Sequence, residues 1–259
     1  MNARKKIVIF LCLLLLVLLI FFRNGCNCSK SNQVQTVSNT TQDPQEKADD
    51  VAPAPWVQLA EITLPNEGKP SLQRNFYFIF DSSGSMQDDY AGEQKIEGAK
   101  KATHNFMAKV PKDINLGLYV YDTNGGQELL RLGPRNHQAF LQKIEGLVPG
   151  GNTPLGEAVR FGSKQLTMQY QKQLGYGEFR LIVITDGLAN DMDDFLKALQ
   201  YATAYRIPIY AIGINVEGDN YLRQYAVSYR EANNSQDLQK ALENTLAELP
   251  SFDTTEFAK

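Results

Sequence analysis

Across residues 76–249, apolar runs of strand length alternate with stretches in which apolar residues recur at helical spacing. Phe76-Tyr77-Phe78-Ile79-Phe80 is the first such run, and a helix is predicted over 94–110, where Ile96, Ala99, Ala102, Phe106 and Met107 share one face. A second strand is predicted over 114–121, with 128–132 as a short neighbour across the Asn124-Gly125-Gly126 turn. Helices at 136–147 and 154–173 lead into Arg180-Leu181-Ile182-Val183-Ile184-Thr185. That run is too continuously apolar for a sheet with one wet face and fits a central parallel strand covered on both sides. A helix at 195–205, a strand at 207–216 and a closing helix at 236–249 complete the alternation, and 56–64 is expected to add an edge strand. Parallel strands need crossover connections, so the expected fold class is α/β: a doubly wound, mostly parallel central sheet flanked by helices. No fixed-period repeat is present, which argues against a solenoid or propeller.

The N-terminal pattern is different. Residues 7–22 are apolar without a break, preceded by Arg4, Lys5 and Lys6 and followed by Arg23 and Asn24. As a helix this run spans about 24 Å, slightly short of the hydrocarbon layer of about 30 Å. It ends in Ile20-Phe21-Phe22-Arg23-Asn24, without the small residues that signal cleavage requires, so residues 1–28 read as an uncleaved signal-anchor helix. The basic residues ahead of the span orient the N-terminus to the cytoplasm and the body outside it. The rival reading is a lipoprotein with Cys26 acylated, although Arg23-Asn24-Gly25 is a poor match to such a signal. Either way the protein is tethered to a membrane. Residues 29–55, rich in Ser, Asn, Thr, Gln, Asp, Pro and Ala, cannot offset their ordering entropy by burial and read as a disordered linker. A folded domain is expected over 56–250 and a frayed tail over 251–259.

Composition narrows the function. A net charge of -3 over 259 residues gives no electrostatic footprint for nucleic acid. All three cysteines, Cys12, Cys26 and Cys28, precede the folded body, so no disulfide staples it. The short leader and the absence of disulfides and large insertions point to a bacterial cell envelope.

Three predicted loops converge at the carboxyl ends of the strands, where open α/β sheets place their ligands. The first is Asp81-Ser82-Ser83-Gly84-Ser85-Met86; the second is Gly150-Gly151-Asn152-Thr153-Pro154-Leu155-Gly156; the third is Thr185-Asp186-Gly187. Each supplies small oxygen donors, which suit a hard divalent cation. Taken singly, each also has a plain structural explanation. Ser83 or Ser85 can cap a helix, Thr153 can be the N-cap before Pro154, and Asp186-Gly187 can be a turn. Asp88, Asp89, Asn190, Asp191, Asp193 and Asp194 surround the crevice; they read as solvated residues near helix starts, with partner tuning or a second ion as the alternative.

Together, Asp81-x-Ser83-x-Ser85, Thr153 in G-N-T-P-L-G and Asp186 in I-T-D-G resemble the von Willebrand factor type A domain and its metal-ion-dependent adhesion site. The resemblance covers roughly residues 76–249, and all five positions match the family pattern. It implies a metal site at Asp81, Ser83, Ser85, Thr153 and Asp186, with magnesium as the ion and manganese or calcium as alternatives. It further implies that Ser83 and Ser85 bind directly, Thr153 directly or through water, and Asp81 and Asp186 mainly through waters or by orienting the hydroxyls. The partner it implies is a protein presenting an Asp or Glu carboxylate that completes the ion's shell.

Enzyme readings fare worse. His104 and His137, the two histidines, fall outside the convergent loops, and neither a G-x-S-x-G elbow nor a phosphate-binding P-loop occurs. A metal-assisted phosphohydrolase is the best catalytic rival. The convergent loops carry no Lys or Arg to neutralise a phosphate, and no second carboxylate pair for another metal. The expectation is a non-enzymatic binding module, with an envelope scaffold lacking metal-dependent binding as the alternative.

Overall fold

Phe76, Phe78 and Phe80 project to one side of a strand and Tyr77 and Ile79 to the other, and all five are fully buried in the computed structural model. The structure describes residues 57–66, 68–187, 189–216 and 221–247. The predicted anchor, linker and tail lie outside them. Among the described residues no helix is long and apolar enough to cross a membrane.

That first strand, β1 (Arg74–Asp81), lies in the middle of a six-stranded sheet. A 3-10 turn (Gly84–Gln87) and a two-stranded ribbon, β2 (Asp89–Tyr90) with β3 (Glu93–Gln94), lead into α1 (Lys95–Lys109). There follow β4 (Asn115–Asp122), β5 (Gly125–Gly133), α2 (His137–Glu145), α3 (Leu155–Lys172) and β6 (Glu178–Thr185). The last described elements are α4 (Met192–Ala204), β7 (Ile209–Ile214), α5 (Tyr221–Tyr225), β8 (Ser228–Ala232) and α6 (Ser235–Ala247). The sheet order is β5-β4-β1-β6-β7-β8, with β5 antiparallel to β4 and every other pairing parallel. Strand order reverses around β1, which creates the crevice that doubly wound sheets use for ligands.

Two cores sandwich the sheet. On one face, Phe78 meets Phe106 of α1 and Phe140 of α2 edge-on, with ring centroids 6.1 and 4.8 Å apart, and α6 adds Leu238 and Leu242. On the other face, Tyr77, Ile79, Leu181 and Val183 pack against Leu155 and Val159 of α3 and Phe195 and Leu199 of α4. Burial of each such side chain stabilises the fold by about 1.5–3 kcal/mol. Helix α3 approaches the sheet closely because Gly162 has no side chain: a Cβ there would lie 2.6 Å from Leu181 Cδ1. Reciprocal hydrogen bonds start α6, where Asn234 Oδ1 accepts from the Asp237 amide at 2.8 Å and Asn234 Nδ2 donates to Asp237 Oδ2 at 2.9 Å.

The structure departs from the sequence expectations in three places. Residues 57–64 form no strand; they cross the end of α4, with the Ala60 amide donating to Ala204 O at 2.9 Å, while β5 and β8 are the sheet edges. The pair α5 and β8 is unforeseen, because Ser228-Tyr229-Arg230-Glu231-Ala232 is half-exposed at the sheet edge and carries no apolar alternation. The short neighbour expected at 128–132 is a full antiparallel strand, β5, facing β4 across the anticipated turn.

Candidate metal centre

The three loops meet because backbone hydrogen bonds tie them to one another. The Gly150 amide donates to Ser82 O at 2.8 Å, and the Gly84 amide donates to Gly151 O at 3.2 Å, joining the loop after β1 to the loop before α3. The Asn190 amide donates to Thr153 O at 3.1 Å, and Asn190 Oδ1 accepts from the Thr153 amide, joining that second loop to the one after β6. Gly151 permits the arrangement: its φ is +78°, and a Cβ there would stand 2.3 Å from Asp122 O.

Four of the five predicted site residues form one hydrogen-bonded cluster. Asp81, at the end of β1 and fully buried, accepts from the Ser83 amide at 2.8 Å through Oδ1. Its Oδ2 accepts from Thr185 Oγ1 at 2.7 Å and from the Asp186 amide at 3.3 Å. The Ser83 and Ser85 hydroxyls lie 3.2 Å apart, and Ser85 Oγ donates to Asp186 Oδ1 at 2.8 Å. Thr153 is held beside this cluster through its backbone, by Asn190. As residues, Ser85 is exposed and Ser83 is buried. The capping roles do not materialise: Ser83 makes no side-chain cap bond, and α3 begins at Leu155 with Pro154 at its cap position.

This donor set fits a small divalent ion. Adjacent oxygens around an octahedral magnesium with bonds of 2.0–2.1 Å lie about 2.9 Å apart. The Ser83–Ser85 and Ser85–Asp186 separations of 3.2 and 2.8 Å fall on either side of that spacing. Both oxygens of Asp81 are already engaged by protein donors, which suits an orienting role rather than direct ligation. Burial, and then the negative charge of Asp186, holds the Asp81 carboxyl above its ordinary range, with hydrogen bonds from Ser83 and Thr185 pulling the other way. Burial, and then the Asp81 charge, also pushes the neighbouring Tyr121 hydroxyl well up. Such a pocket attracts a cation.

It already contains one. Lys95, the first residue of α1, places Nζ 2.8 Å from Asp186 Oδ2 and 4.0 Å from Asp88 Oδ2. The convergent loops contain no Lys or Arg, as the sequence indicates, and the helix that follows the first loop supplies an ammonium to the same pocket. A signal was available: Lys95 lies in phase with Ala99, Ala102 and Phe106, on the stripe of α1 that turns inward. Thr185 and Asn190 also support the site; the sequence places both beside the crevice without assigning them these roles, because Thr and Asn at loop edges are common turn formers.

Around the rim, the residues do different things. Asp191 caps α4 by accepting from the Asp194 amide at 2.9 Å, and Asp194 pairs with Arg160 of α3. Asp89 and Asp193 are exposed. Among the described residues no group of three or more His, Cys, Asp or Glu side chains is placed to hold a metal. His137 packs at the start of α2 with Nε2 3.1 Å from Pro111 O, just ahead of the amino end of β4 rather than at the carboxyl ends where the loops converge, and His104 is exposed on α1.

The von Willebrand factor type A domain model matches residues 75–254. Protein YwmD of Bacillus subtilis (strain 168) is 28% identical over 190 residues, an alignment spanning 65% of this chain and 83% of YwmD. Among solved structures, the pilus adhesin SpaC from Lactobacillus rhamnosus GG superposes with a TM-score of 0.57 at 15% identity, covering 70% of this chain and 31% of SpaC. Proximal thread matrix protein 1 from the mussel byssus, with a zinc-occupied MIDAS motif, superposes with a TM-score of 0.57 at 18% identity, covering 69% of this chain and 48% of that one. The chain thus spans less than half the length of either structural neighbour, and at these identities the likeness is one of fold.

Proposed function

Because the chain belongs to the von Willebrand factor type A domain family over residues 75–254, we propose that it is a protein-binding module with a divalent-ion centre that a partner's Asp or Glu carboxylate completes. The observation that carries this reading is the Ser83–Ser85–Asp186 chain of oxygens, spaced 3.2 and 2.8 Å and backed by the buried Asp81. Ser83 and Ser85 would hold the ion through their hydroxyls, with Thr153 beside them and with Asp81 and Asp186 acting through water or by orienting the hydroxyls. A magnesium ion held mainly by neutral oxygens keeps open or water-filled positions and stays electrophilic, which favours an incoming carboxylate. SpaC is a pilus adhesin, which supports a recognition role, and the mussel protein carries zinc in its MIDAS motif, which supports ion binding; magnesium is preferred here, with manganese or calcium as substitutes.

The apolar run at 7–22 and its basic flank support a single-span anchor with the domain outside the cytoplasm, in a bacterial envelope. The reading assigns no catalysis to the site. Lys95 removes one objection to a phosphohydrolase, but Asp186 engages its ammonium. Turnover of a generic phosphomonoester with magnesium, abolished by Asp81→Ala, would overturn the binding-module reading.

The direct test is a pull-down from detergent-solubilised membranes with the full chain as bait, in magnesium against EDTA. Capture of a specific protein in magnesium alone is expected. Capture unaffected by EDTA would favour a scaffold that uses no ion.

A further inference from the structure

Lys95 is an unusual residue to find where it lies. Its side chain is 9% exposed, and lysine is seldom buried without a specific anionic partner. The partner is Asp186, whose two oxygens are divided between Lys95 Nζ and Ser85 Oγ, each at 2.8 Å. The carboxylate expected to face a divalent ion is therefore already neutralised by a cation built into the chain.

We propose that Lys95 is a tethered cation that fills the charge requirement of the ion-free site and that an incoming divalent ion must displace from Asp186, so that Lys95 sets how tightly the site loads. The inference rests on the reading of this crevice as a divalent-ion centre. The placement of charge supports it. The Lys95 ammonium stands 2.8 Å from Asp186 Oδ2, on the carboxylate that a metal at this site would face, so that carboxylate has a cationic partner before any metal arrives. Adding a divalent ion beside an ammonium that stays in place brings like charges together in a poorly solvated pocket, which opposes binding. The ammonium has somewhere to go: Asp88 Oδ2 is 4.0 Å from Nζ, and the Asp88 side chain is 69% exposed. A rotation of the lysine stem toward Asp88 moves the charge from a buried carboxylate to a solvent-facing one and frees Asp186. The device keeps the pocket folded without metal and lowers its affinity, so that occupancy follows the ion supply and the arrival of the partner's carboxylate.

The experiment is calorimetric titration of magnesium, and separately of manganese, into the full chain in detergent, comparing wild type with Lys95→Met and Lys95→Gln. Met removes the charge at similar length, while Gln keeps a donor for Asp186 without the charge. Both variants are expected to bind magnesium about tenfold more tightly than wild type, a difference of about 1.4 kcal/mol. The rise in melting temperature produced by a fixed magnesium concentration should be correspondingly larger in the variants. Tight binding in the variants with none in wild type would support the proposal in its strongest form. Equal or weaker binding in the variants, with wild type still binding, would overturn it and leave the ion centre intact. Binding by none of the three would overturn both. If Lys95→Met is unfolded without metal, refolding on addition of magnesium supports displacement; a variant that stays unfolded in saturating magnesium overturns it.

Discussion

The Thr185 hydroxyl donates a 2.7 Å hydrogen bond to Asp81 Oδ2, tying the last residue of β6 to the last residue of β1. With the Ser83 amide on Oδ1, this bond fixes the plane of the buried carboxylate behind the two serines. Thr185→Val keeps the shape and removes the donor. It should weaken magnesium binding by about 10–100-fold, the usual effect of losing a group that orients a ligand set, with an unchanged far-ultraviolet circular dichroism spectrum. Calorimetry on the full chain reads the loss; affinity within twofold of wild type would remove Thr185 from the site.

The double substitution Ser83→Ala with Ser85→Ala should abolish magnesium binding, since it deletes both hydroxyls spaced for the ion. The fold should survive. Two neutral hydroxyls lost from a loop cost about 1–2 kcal/mol. Urea unfolding in chelator measures that cost, and a collapse of stability would show that the serines mainly build the loop.

Gly151 and Gly84 lie in hydrogen-bonded contact and should respond differently to alanine. At Gly151 φ is +78° and a Cβ would meet Asp122 O at 2.3 Å, whereas at Gly84 the nearest neighbour would be Gly151 O at an ordinary 3.5 Å. Gly151→Ala should cost about 1–3 kcal/mol and reduce ion affinity by shifting the Thr153 loop. Gly84→Ala should change stability by no more than about 0.5 kcal/mol. Equilibrium unfolding of the two variants side by side decides the point.

Burial first, and the Lys112 charge second, hold the His137 imidazole below its ordinary range. The unfolded chain then takes up a proton near about pH 6.5 while the folded chain resists it, so the unfolded state binds more protons in that window. Stability contributed by neutral His137 is therefore complete above about pH 6.5 and is lost as pH falls below it toward the folded-state value. His137→Gln, which does not titrate, should show a shallower fall of the urea midpoint between about pH 7 and about pH 5 than wild type. Parallel curves would mean that His137 is protonated as readily in the fold as out of it.

The sequence by itself determined the layered fold, because the run 76–80 and the run 181–184 are apolar at every position, as two covered faces demand, and the helices between them keep a regular inward stripe. It also determined where chemistry could gather, since Asp81, Ser83, Ser85, Thr153 and Asp186 are small oxygen donors placed just after strands or before a helix. Only the tertiary structure decided how the donors are supported and what charge they face. Thr185 and Asn190 act across loops that are far apart in sequence, Ser83 is buried while Ser85 is exposed, and β8 pairs at an edge that needs no apolar pattern. Lys95 is the sharpest case. In sequence it is one lysine among the 26 basic residues, and its partner Asp186 lies 91 positions away on the loop after β6. Local pattern specifies which faces are buried; the long-range juxtaposition of charges is set by packing, and packing is written in no single stretch of the chain.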